Sequence, residues 1–412
     1  MFVGMSGGVD SSVAAYLLKK QGYDVTGVFI RSYNVDGCAE RDAEDARRVA
    51  EHLRIPFYVF DFEKEYKESV VDYMVSTYRD GITPNPDVMC NKEIKFGLFL
   101  KKALALGADY IATGHYVRLG RIISQKQHNF LPARKFASPS SRHPSLRSET
   151  KLSGLRDVPR DNSASPSFSL FEAEDKNKDQ SYFLWTLTQE QLKHCLFPIG
   201  DYLKPQVREI ARKAGISTAE KKDSQGICFL GEVDLTDFLK QYLPEKPGEI
   251  VTTDGAVVGR HEGIFFYTIG QRHLGVDLKV RNPDHKPYYV AAKDLAKNEL
   301  IVAEGDDHPA LFKQDMELRQ VNFIDKKLPS LIRANRRIEV LARVRYRQPL
   351  IRATLIYADK GRIDTDIDSH KSVSRSASIR VTFAKPVKFV APGQSAVFYS
   401  QSGEMLGGGV IS

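Results

Sequence analysis

With 412 residues, 27% of them charged and 42% hydrophobic, the chain has the make-up of a soluble protein too long for one core, so two or three domains are expected. No apolar run approaches the roughly 18 residues that a bilayer-crossing helix needs, which argues against a membrane partner. The net charge of +8 is uneven: from Ala310 onward eighteen Lys and Arg face nine Asp and Glu, an excess that suits a polyanion, a solubilising surface being the plain alternative. In chain order, an apolar start (Met1 to Val3) enters the turn Ser6-Gly7-Gly8, and Val13 to Leu18 then reads as helix, stopped at Gly22. Strand candidates follow at Asp24 to Ile30, Pro56 to Phe60 and Asp109 to Thr113, with helices over Ala39 to Leu53, Glu63 to Tyr78 and about Ile94 to Leu106. Such alternation predicts an α/β fold: a parallel sheet covered by helices on both faces, with ligands at the carboxyl ends of its strands. Ile30, Gly114 and His115 fall at those ends. Further on, Thr188-Gln189-Glu190-Gln191 is a capping-box pattern and Pro205 opens a helix that stops at Gly215. From about Leu239 to Ala310 short strand-like pieces, among them Glu249 to Thr252 and Phe265 to Thr268, predict a small, mostly β central domain. The recurrent strands beyond it predict a β-barrel.

The strand–glycine turn–helix at the N-terminus presents backbone N–H groups and a helix N-terminus, a ready anion site. It is neither a Walker loop nor a GxGxxG fingerprint. Gly4-Met5-Ser6-Gly7-Gly8-Val9-Asp10-Ser11 instead resembles the PP-loop of enzymes that cleave ATP between its α and β phosphates. Asp10 could face a magnesium ion or a ribose. Because this loop begins at residue 4, no room is left for a signal or transit peptide, and a cytoplasmic protein is expected.

Cys38, Cys90, Cys195 and Cys228 are too scattered for a disulfide scaffold, and no CxxC pair exists for zinc or an iron–sulfur cluster, so no resident metal site is expected. Cys90 stands out. Pro84 and Pro86 stiffen the loop before it, a helix is predicted just after it, and Lys92 is near; dipole and cation both favour a thiolate. Cys228 lies in a glycine-containing loop behind Lys221 and Lys222, flanked by apolar Ile227 and Phe229, and reads equally as exposed thiol or buried filler. In Ile338 to Arg347, apolar residues alternate with Arg343, Arg345 and Arg347; the arginines form either a ladder for successive phosphates or one solvated face of a barrel strand.

Taken together, Gly4 to Val13, Asn85-Pro86-Asp87-Val88-Met89-Cys90-Asn91, Ala112 to Tyr116, Lys178 to Leu184, Asp223 to Phe229, Gly270-Gln271-Arg272, Arg345 to Gln348 and Pro392 to Tyr399 resemble the bacterial tRNA-specific 2-thiouridylase family. The resemblance implies a PP-loop Rossmann-like domain over 1–238, the central domain over 239–309 and a basic, tRNA-binding barrel over 310–412. It implies an enzyme that uses Mg-ATP to replace the C2 oxygen of a wobble uridine with sulfur, supplied by a persulfide-donating carrier protein. ATP would lie on Gly4, Met5, Ser6, Gly7, Gly8, Val9, Asp10, Ser11, Ile30 and Gly114. Cys228 would carry the persulfide, Cys90 would be the partner thiol, and Asp87 a general acid/base. The tRNA would meet Asn85, Pro86, Asp87, His115, Lys178, Asp179, Gln180, Arg345, Tyr346 and Gln394, with the target base flipped out of its stack. The chain departs from the family in three ways. An insert over 121–177, serine-rich from Ser138 to Ser169, reads as a flexible loop. A second, over 362–380, reads as a lengthened hairpin turn. The short run before the PP-loop leaves the first strand's pairing open. Rival readings are a PP-loop synthetase acting on a small molecule and a non-catalytic RNA-binding protein.

Overall fold

The computed structural model describes residues 1–33, 37–124, 127–130, 167–222, 233–276, 286–335, 337–358 and 378–412. The N-terminal strands are β1 (Phe2–Gly4), β2 (Thr26–Arg31), β3 (Phe57–Asp61) and β4 (Ile111–Ala112). Short as it is, β1 pairs in parallel with both β2 and β4 and so sits in the middle of the sheet, which answers the question of its pairing. Next come β5 (Val117–Ser124), β6 (Gln127–Phe130), β7 (Ser167–Glu172) and β8 (Cys195–Leu196). The parallel sheet runs β3-β2-β1-β4-β8. Its order reverses between β1 and β4, the crevice where α/β sheets bind ligands. The glycine loop leaves β1 there, and Gly114 and His115 follow β4.

Strands β5, β6 and β7 correct the flexible-loop reading of 121–177. Its ends form an antiparallel unit that pairs through β7 with the last strand of the barrel, Glu404 opposite Phe171 and Met405 opposite Leu170. The alternating apolar residues of 117–122 and 167–172 carried that strand signal. Residues 131–166, the bulk of the insert, lie outside the described residues, as does most of the predicted turn over 362–380.

The central region holds β9 (Gly248–Thr252), β10 (Val257–His261), β11 (Tyr288–Asp294) and β12 (Glu299–Glu304), in the order β10-β9-β12-β11. Phe265 to Thr268 is not a strand: Ile264–Phe266 is a 3-10 turn that buries Ile264 and Phe266 in the core. Strands β13 (Phe312–Phe323), β14 (Ile338–Arg343), β15 (Ile351–Tyr357), β16 (Ile379–Lys388), β17 (Ser395–Tyr399) and β18 (Glu404–Ile411) close into a six-stranded barrel through the β13–β18 pairing. Val340, Ala342 and Val344 line its core as the alternation predicted.

Candidate active site

The glycine loop ends in an uncapped helix. Gly8 precedes the helix Val9–Lys20, and no side chain takes the N-terminal N–H groups. Serines shape the loop from within: Ser6 N donates to Ser11 Oγ (3.0 Å), and Ser12 Oγ donates to Gly8 O (2.8 Å). Gly7 has a φ of +72° and lies so close to the main chain of Asp42 that a Cβ would meet its carbonyl oxygen at 2.3 Å. Only glycine fits there. Gly114 is equally constrained, because a Cβ on it would stand 2.6 Å from Ser11 N. The end of β4 thus presses against the first turn of the helix. Free N–H donors, small residues and a dipole pointing inward are the donor set that phosphate needs, so the loop fits the triphosphate of ATP.

Asp10 is partly exposed and engaged by two side chains. Both its oxygens accept from Lys204 Nζ (2.8 Å each), and Oδ1 also accepts from Tyr116 OH (2.8 Å). Lys204 is held in turn through its main-chain N–H on Asp175 (2.9 Å), and its side chain is 11% exposed. An ammonium therefore stands where the sequence suggested magnesium or ribose. Lys204 escaped sequence reading, although a lysine directly before a helix-opening proline was the available sign. Gln180 returns to this corner: its N–H and Oε1 pair with the carbonyl and N–H of Tyr116.

The second half of the site is the segment around Cys90, and here the structure corrects the sequence. Helix begins at Pro86, not after Cys90. Asn85 caps it, its Oδ1 accepting from Val88 N at 3.3 Å, and winding continues through Cys90–Phe99 and Leu100–Ala105. Cys90 is therefore inside a helix rather than at its positive end. Burial pushes its thiol upward, against the opposing pull of Lys95, and Lys92 pairs with Glu93 instead. In this conformation Cys90 is a protected thiol, not a thiolate. Cys195, in β8, is also buried, its Sγ donating to Gln191 O. Cys228 lies outside the described residues.

Phe96 and Phe99, on the same helical run, tie it to the nucleotide corner. Phe96 packs at 5.8 Å against the ring of His115, and Phe99 lies against Gly4. His115 is buried, its Nδ1 2.8 Å from Thr113 Oγ1, and burial first, then Lys95, drives its pKa well below the usual value. It stays neutral. From the other side the barrel grips the loop before Asn85: Gln394 Nε2 donates to Thr83 O (3.1 Å) and Pro84 O (2.7 Å), and Thr83 N donates to Pro392 O. Tyr182 OH donates to Ser395 O at 2.9 Å.

The arginine ladder does not exist as a ladder. Strand β14 stops at Arg343, whose side chain is buried in ion pairs with Glu172 and Asp179. Arg345 is half-buried, donating to Ile269 O and lying 5.5 Å from the Phe389 ring, while only Arg347 is exposed, in a turn with φ of +63°. Tyr346 packs against Phe183, the rings tilted by 49° with centroids 4.6 Å apart. Asp179 is likewise not at the surface: it accepts from Ala173 N, Ser181 N and Ser181 Oγ, and burial raises its pKa. Lys178, in the turn before it, is half-buried. The strand was expected to run on; a reverse turn closed by Gln348 N on Arg345 O ends it.

A nucleotide loop at the switch point of a parallel sheet, coupled to a closed barrel, defines an ATP-using enzyme of the HUP class. The family profiles agree: the tRNA methyl transferase HUP domain matches residues 1–137 and 156–232, its PRC-barrel domain 236–304, and an aminomethyltransferase β-barrel domain 313–411. A tRNA-specific 2-thiouridylase MnmA of Tolumonas auensis is 43% identical, covering 100% of this chain and 96% of that protein. Those of Lysinibacillus sphaericus and Bacillus licheniformis are each 42% identical, over 99% of this chain and 93% and 94% of their own. The chain belongs to the tRNA-specific 2-thiouridylase family. A solved NMN synthetase of Francisella tularensis aligns with 27% of this chain and 43% of its own at 22% identity and a TM-score of 0.21, too little to bear on the fold.

Proposed function

We infer that this protein is a tRNA-uridine 2-sulfurtransferase, an enzyme that converts the wobble uridine of tRNA to 2-thiouridine at the expense of ATP. The single observation that carries the reading is the conjunction, in one chain with full-length thiouridylase relatives, of the PP-loop and the Asn85–Cys90 segment, joined through Phe96, Phe99 and His115. A small-molecule synthetase would leave that segment and the basic barrel without a task.

ATP supplies activation: adenylation of the C2 oxygen makes it part of a good leaving group, AMP. Gly7, Gly8 and Val9, with Ser6 and Ser11, would hold the phosphates by N–H and hydroxyl donation, while Ile30 and Gly114 flank the same strand ends. Mg²⁺ would enter with the nucleotide and be held largely by phosphate oxygens. Asn85, Pro86 and Asp87 would receive the flipped base, with Asp87 as general acid/base. Cys228, loaded by a persulfide-donating carrier protein, would deliver its outer sulfur to C2; Cys90 would then attack the Cys228 sulfur, leaving sulfur on the base and a Cys90–Cys228 disulfide for a thiol reductant to reopen. Lys178, Gln180, Arg345, Tyr346 and Gln394 would guide the tRNA, Asp179 and His115 acting from beneath by holding that surface. No helix among the described residues is long and apolar enough to cross a membrane.

The test is nucleoside mass spectrometry on unmodified tRNA with a wobble uridine, incubated with protein, Mg-ATP and a persulfide donor. The expected result is 2-thiouridine with the parent protein and none with Cys90→Ser or Cys228→Ser. Product surviving in Cys228→Ser would overturn the persulfide assignment, and ATP splitting without any thiolated base would favour the small-molecule synthetase.

A further inference from the structure

Next to Cys90 lies a polar group that the scheme above does not use. Asn91 is 3% exposed, and its Nδ2 donates to Asp87 O at 3.0 Å. Its Oδ1 is buried without any hydrogen-bond partner. The assignment of the two amide atoms is not interchangeable: a carbonyl oxygen accepts only, so the NH₂ must face Asp87 and the oxygen is the orphan. Leaving a buried acceptor unmade is costly, and such groups call for a ligand or a role. The neighbouring Asn85 shows the contrast, since its Oδ1 accepts from Val88 N.

The direction is informative. A helical side chain leans toward the N-terminus, and the bond to Asp87, four residues back, holds the Asn91 carboxamide over the turn Asn85–Asp87. That is the turn assigned above to the target base. The open valence there is an acceptor, so it asks for a donor. On the Watson–Crick edge of uracil the donor is N3–H, whereas cytosine offers a lone pair at that position. N3 is bonded directly to C2, so an acceptor that fixes N3–H also fixes the atom to be thiolated.

We propose that Asn91 Oδ1 accepts the N3–H of the flipped uridine, making Asn91 a specificity-determining residue that selects uridine and aligns its C2. The assignment rests on the thiouridylase reading of this site. Its test compares the affinity for tRNA carrying uridine or 3-methyluridine at the wobble position, measured without ATP so that no bond to C2 forms, of the parent protein and of Asn91→Ala. In the parent, N3-methylation removes the donor and should weaken binding by about tenfold or more. Asn91→Ala should weaken binding of the uridine tRNA by about tenfold and shrink the methylation penalty to less than about threefold, because the partner is gone and space has opened. A methylation penalty of equal size in both proteins, or 3-methyluridine tRNA bound by the parent as tightly as uridine tRNA, overturns the proposal. If Asn91→Ala does not fold, Asn91→Ser takes its place, and the parent arm still decides. No thiolation of the uridine tRNA by the parent would instead be a failure of the thiouridylase reading itself.

Discussion

Two clusters pair a carboxylate with a buried cation, and they are built differently. At the nucleotide corner Lys204 meets Asp10, with side chains 11% and 31% exposed, and Tyr116 shares one oxygen. Between the N-terminal region and the barrel, Arg343 meets Asp179 and Glu172, with side chains 6%, 1% and 13% exposed. The first pair leaves part of its carboxylate reachable beside a loop of unused N–H donors. The second is roofed by Tyr399, whose ring stands 4.7 Å from the Arg343 guanidinium and whose hydroxyl is 2.8 Å from Ser181 Oγ. A charge pair open on the ligand side can respond to a bound phosphate, whereas one closed on all sides can only hold two parts of the molecule together.

This contrast can be broken by substitution. Arg343→Met strands two buried carboxylates, so it should lower unfolding free energy by about 3–5 kcal/mol in urea titrations, the largest stability effect expected here. A loss below about 1 kcal/mol would show that the cluster is not a clamp. Lys204→Met should divide the other way, lowering thiolation about 100-fold and raising the KM for ATP while moving the unfolding midpoint far less than Arg343→Met does. His115 sharpens the picture through pH. Its folded pKa is depressed, so the unfolded chain binds the extra proton. Its contribution is complete above the unfolded value of about 6.5 and is lost as pH falls below it, by up to about 1.4 kcal/mol per pH unit. His115→Gln should flatten the fall in melting temperature between pH 7 and pH 5. The smallest effect is on access: Gln394→Ala removes two of the three hydrogen bonds described between the barrel and Thr83–Pro84 and should quicken alkylation of Cys90 about two- to tenfold.

The two clusters also mark how far the sequence could be read. Glycine loops, strand alternation and cap residues are local, so Ser6 to Ser11, the capping box at Thr188 and the apolar face of Val340, Ala342 and Val344 were all legible. Partners distant in sequence were not. Asp10 and Lys204 are 194 residues apart and Arg343 and Glu172 are 171 apart, and no periodicity connects them. Alternation gave Arg343 the polar side of its strand but could not say that β7 would bring Glu172 beneath it. Cys90 failed for a local reason. Two prolines looked like a loop running up to the cysteine, yet Pro86 at the first helical turn opens the helix instead, and this reverses the sign of the argument about its thiol.

Activation of the uridine C2 oxygen at the glycine loop can be followed with tRNA bearing ¹⁸O at C2 of the wobble uridine and mass analysis of the nucleotide released during thiolation. One ¹⁸O is expected in the AMP phosphate for each 2-thiouridine formed, and none in pyrophosphate. Formation of 2-thiouridine with unlabelled AMP would contradict that activation.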